Sequence, residues 1–154
     1  MSTSLLLTEE SQAVFTVTGS QGTGAGTAAL SAGTVAIAPT SSPGYTGTVT
    51  WTLGTDPNCT INSKKVVLSL DNVTVSATSP PYSTAIAGSG SISGSKIAKV
   101  TMSDEVPMCV ADGPSLSIDG KCSYVDEHSQ PHTDTYTLTC VFVAVQTKVS
   151  GLTN

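Results

Sequence analysis

Both histidines of this chain, His128 and His132, fall in one acidic loop, Asp126-Glu127-His128-Ser129-Gln130-Pro131-His132-Thr133-Asp134. With Cys122 and Cys140 on either side, the segment offers two imidazoles and two sulfurs, a permitted tetrahedral zinc set. The spacing argues against a site. No two cysteines form a close knuckle pair, and Pro131 keeps the histidines from lying one helical turn apart. Asp126, Glu127 and Asp134 could hold a hard cation weakly through oxygen. The simplest reading is a solvated hairpin loop without a metal.

Other catalytic constellations fare no better. A nucleophilic triad needs an activated hydroxyl beside a base that a buried acid orients. His132 stands near Asp134, but no strained-turn nucleophile motif accompanies them. None of the eleven carboxylates is marked by its neighbours as half of a glycosidase pair. The chain contains no Arg, so it lacks the bidentate fork that grips phosphate or carboxylate. The run Gly22-Thr23-Gly24-Ala25-Gly26 lacks the spacing of a nucleotide loop and reads as a flexible connector. The expectation is a non-enzyme with no cofactor.

Four cysteines, Cys59, Cys109, Cys122 and Cys140, allow three complete pairings. Cys122 and Cys140 both lie on the apolar phase of their segments. If the loop between them centres on Pro131, they face each other, with Tyr124 opposite Leu138. That favours a Cys122–Cys140 bridge and leaves Cys59–Cys109 by elimination. The alternative is four buried thiols acting as small apolar residues.

The elements that would position these residues read as strands. Gln12 to Thr18 and Thr34 to Ala38 are short and β-branched, and Tyr45 to Leu53 alternates cleanly, with Val49, Trp51 and Leu53 on one face. Between Lys65 and Ala77 the phase flips, from Val66, Leu68 and Leu70 to Val73, Val75 and Ala77. A β-bulge or a turn at Asp71-Asn72 would resolve it. Thr84 to Ile92 is weak and interrupted by Gly, and Lys96 to Ser103 alternates Ala98, Val100 and Met102. Ser115 to Val125 reads as a hairpin around Asp119-Gly120, with a three-residue loop setting Ile118 against Cys122 and Leu116 against Tyr124.

The clearest strand runs from Thr135 to Val149. Tyr136, Leu138, Cys140 and Phe142 share one face, while Val141, Val143, Val145 and Val149 hold the other. Such a strand is expected to be covered on both sides, by its own sheet or by a partner. No segment carries a helical period. The prediction is an all-β, single-domain β-sandwich or jelly-roll-like barrel over residues 12–150, with an extended N-terminal arm (1–11) and a C-terminal tail (151–154).

Bulk composition narrows the partners. Thr and Ser supply 46 of 154 residues, charged residues 11%, and the net charge is −5. Six scattered Lys cannot assemble the positive stripe that nucleic acid or an anionic membrane surface requires. The start has no basic segment and an apolar run of only three residues, so no signal peptide is expected. No stretch approaches a membrane span.

In composition and layout the chain resembles the small β-rich decoration, or cement, proteins of phage capsids, although no motif carries the likeness. Those proteins are often rich in Gly, Ala, Thr and Ser, made without a leader, and trimeric, with an arm laid against the shell. The resemblance implies a structural virion subunit, placed in a virion or another extracellular assembly. It would be held by protein contacts to itself and to a shell or filament, as a homo-oligomer such as a trimer. On this reading Leu5, Leu6 and Leu7 contact the partner, because three leucines on a free arm favour burial; the alternative folds them onto their own core. A second reading is a carbohydrate-binding or adhesive β-sandwich using Trp51, Tyr45, Tyr82, Tyr124 or Tyr136 as stacking platforms. There Trp51, in phase with Val49 and Leu53, is expected in the core.

Overall fold

A computed structural model of the chain describes residues 2–80, 82–93, 109, 116–147 and 149–153. The expected strand over Lys96–Ser103 lies outside these residues. The strands are β1 (Ser2–Leu5), β2 (Gln12–Gly19), β3 (Gly22–Ala29), β4 (Thr34–Pro39), β5 (Thr46–Ile61) and β6 (Lys64–Thr78). They continue as β7 (Thr84–Ile86), β8 (Gly88–Ser93), β9 (Leu116–Val125), β10 (Pro131–Val143) and β11 (Ser150–Thr153). Nine of them form one antiparallel sheet in the order β7-β9-β10-β2-β3-β4-β5-β6-β8. The fold is therefore all-β and barrel-like, as the alternating phases require.

The barrel closes through one segment. β7 pairs with β9 at one end of the strand order, β8 pairs with β6 at the other, and only Ala87 separates them. Tyr136 locks this seam from inside. Its phenol oxygen accepts the Ala77 N–H of β6 at 3.0 Å and donates to the Ile86 carbonyl of β7 at 3.1 Å. Gly88 lets the closing segment touch β9, since a Cβ there would collide with the Asp119 carbonyl.

Inward positions carry the core. On β10, Tyr136, Leu138, Cys140 and Phe142 are buried, and β2 contributes Ala13, Phe15 and Val17 on the same phase. Trp51 is buried as expected, packing its ring 5.2 Å from Phe15 and donating Nε1–H to the Leu30 carbonyl at 2.8 Å. The phase flip in β6 is a bulge. Thr50 pairs with Thr74 but Thr52 with Asp71, so β6 holds one extra residue there, and Asn72 takes a left-handed φ of 51°. Val66, Leu70, Val73 and Val75 thereby all face inward.

Three readings are corrected. Residues 116–125 form the single strand β9, not a hairpin. Gly120, taken as a turn residue, instead sits opposite Tyr136, where any Cβ would enter the space of that ring. The glycine run of 22–26 is not a connector but most of β3, paired with β2 along its length. Bare backbone is needed at Gly24, whose absent Cβ would strike the Tyr45 carbonyl.

The N-terminal arm is extended but lies on its own body. β1 pairs with β11, joining the arm and the C-terminal tail. Leu6 and Leu7 are 3% and 2% exposed, and Leu5 is half-buried. Leu7 donates its N–H to the Cys109 carbonyl and accepts that of Val67, both at 3.0 Å. Leu6 and Leu7 therefore do not form a free patch for a partner. Their backbone groups are paired and their side chains complete the core at this end.

Candidate functional site

β9 and β10 pair with Val125 opposite Pro131. β10 reaches β2 only at Tyr136, opposite Gly19, so the end of the β9–β10 hairpin projects past the barrel. Asp126 builds the tip. Its Oδ1 accepts the backbone N–H groups of His128 and Gln130, both at 2.8 Å, and its Oδ2 meets His132 Nε2 at 2.8 Å. The His132 contact first, then the Gln130 N–H, hold the Asp126 carboxyl below its ordinary range.

Behind this pair, His132 stacks on its cross-strand neighbour Tyr124, with ring centres 4.7 Å apart and planes 10° from parallel. Tyr82 meets Tyr124 edge-on at 5.3 Å. Sequence reasoning placed these aromatics separately. The cross-strand pairing that unites Tyr124 with His132 follows from the hairpin register, for which the Asp126 side chain, capping two N–H groups, was the available signal.

These contacts brace the hairpin end. His132 pairs with Asp126, not with Asp134. The Asp134 carboxylate instead takes hydrogen bonds from Ser20 Oγ and, at 3.4 Å, from the Tyr45 phenol. Among the described residues, no group of three His, Cys, Asp or Glu side chains converges on a metal position.

The register also decides the cysteines. The hairpin turns about His128 instead of Pro131, which sets Cys122 opposite Asp134 and Cys140 opposite Leu116. The expected bridges Cys122–Cys140 and Cys59–Cys109 do not form, and all four residues are thiols. Burial pushes the thiols of Cys109 and Cys140 up to about 12. Burial first, then the charge of Asp134, raises Cys122. The three buried thiols serve as small apolar core residues.

No known family model matches this chain, and comparison with curated proteins and with solved structures finds no significant relative.

The chain's own geometry then leaves one further surface, the outside of the sheet. Facing out are Thr137, Thr139, Val141 and Val143 on β10 and Gln12, Val14, Thr16 and Thr18 on β2. Across β3 and β4 the outward residues are Thr and Ala, and along β5 they are Thr46, Thr48, Thr50 and Thr52. None of these is ionisable. At the end of this wall Val141 and Val143 are 60% and 50% exposed; Val145 and Val149, past the end of β10, are 52% and 39% exposed. The strand expected over Thr135–Val149 and to be covered on both sides ends at Val143, so Val145 and Val149 do not share its outer face, and its own chain covers it on one side. Of the proposed stacking platforms, Trp51, Tyr45 and Tyr136 are buried, while Tyr82 and Tyr124 are half-exposed at the hairpin.

Proposed function

We propose that this chain is a non-catalytic structural subunit of a larger protein assembly. It would coat or reinforce a shell of the kind phage capsid decoration proteins stabilise, acting through protein–protein contacts. The observation that carries this reading is the exposed pair Val141 and Val143 at the end of β10, set in a wall without charge. Fully burying one Val is worth about 1.5 kcal/mol or more, so the two together supply a driving force for association. The Thr faces around them are polar without being charged, and so shed water at lower cost than ionised groups. The composition and layout of the chain, which resemble those capsid proteins, point the same way.

The test is a density gradient of the producing culture, with the chain quantified by mass spectrometry in each fraction. The reading expects it in a particle fraction at a fixed ratio to the major shell protein. It also expects a Val141→Ser, Val143→Ser double variant to leave that fraction. Wild-type chain found only among free proteins would overturn it.

A carbohydrate-binding role is the second reading, favoured by the cluster that Tyr82, between β6 and β7, forms with Tyr124 and His132 of the projecting hairpin. Aromatic faces stack on the apolar faces of sugars, and Asp126 beside them accepts hydrogen bonds. This reading expects saturable glycan binding by calorimetry that Tyr124→Ala abolishes while particle association persists.

A further inference from the structure

We draw no further inference here: the strongest candidate, the notch of about 430 Å³ between the β6 bulge and β8, lined by Asp71, Asn72, Ser89, Gly90 and Ser91, sets one carboxylate among small polar residues open to solvent, and no second feature among the described residues points to a ligand for it.

Discussion

β9 and the wall formed by β10, β2, β3, β4 and residues 46–52 of β5 follow one inward rule and two outward ones. Inside, both alternate apolar residues: Leu116, Ile118 and Cys122 on β9 match Phe15 and Val17 on β2. Outside, β9 carries Asp119 and Lys121, with Asp119 accepting a hydrogen bond from Thr137 Oγ1 at 2.9 Å, while the wall carries no charge. The contrast teaches that neutrality is not a condition of folding here. A strand with charged outward positions joins the same barrel, so folding does not impose the uncharged wall.

If inward positions specify the fold and outward ones do not, the largest loss should come from the seam. Gly120→Ala forces a methyl into the ring of Tyr136, and neither neighbour can move without opening the closure. We expect a loss of about 3 kcal/mol, the upper range for overpacking, read from chemical denaturation. A midpoint equal to wild type would mean that the ring does not occupy that space. Tyr136→Phe keeps the ring but strands the Ala77 N–H and the Ile86 carbonyl. Its cost should be about 2 kcal/mol, with faster amide exchange at Ala77 marking the seam as the place of loss.

That seam also shows where sequence reading ends. Alternation made the inward faces of β2, β5, β6 and β10 legible, including the break in phase at Asp71-Asn72, because a period of two leaves one face for the core. Register was not legible. The β9–β10 turn is set by the Asp126 side chain capping two N–H groups, and placing the turn three residues later created the false Cys122–Cys140 pair. Gly120 misled for a related reason. Asp-Gly is a strong turn signal, and only the opposing Tyr136 shows that the missing side chain matters more than the backbone freedom. The hairpin cluster of Tyr82, Tyr124 and His132 was hidden with the register, whereas the neutral wall was partly visible in the alternating Thr of residues 46–52.

The hairpin end offers a smaller and pH-dependent effect. Asp126 releases its proton more readily in the folded chain than in the unfolded one. Its stabilisation is therefore complete above the ordinary carboxylate value, about 4, and is lost as pH falls through the lowered folded value. Asp126→Asn should accordingly lower the thermal midpoint at pH 7. The gap to wild type should close on acidification below about pH 4. A gap that persists unchanged to low pH would show that the tip does not depend on the charge of Asp126.

The smallest effect belongs to the wall. Thr48 is exposed on β5, opposite Ala36 of β4 and Ser76 of β6, with no charge among these cross-strand neighbours. Thr48→Lys exchanges a short β-branched residue for a long charged one in the middle of that surface. The chain is net acidic, so the added cation opposes none of the local charges and slightly lowers the overall repulsion. Against that stands only the modest loss of β-propensity, and the sum should stay within about 0.5 kcal/mol of wild type. A lysine tolerated in the monomer yet depleted from assembled material would separate the two uses of the sheet. The inward side of each strand would then build the barrel, while the uncharged outward side of the wall would serve the assembly. A Thr48→Lys variant that unfolds would instead tie the neutral wall to folding and dissolve the contrast with β9.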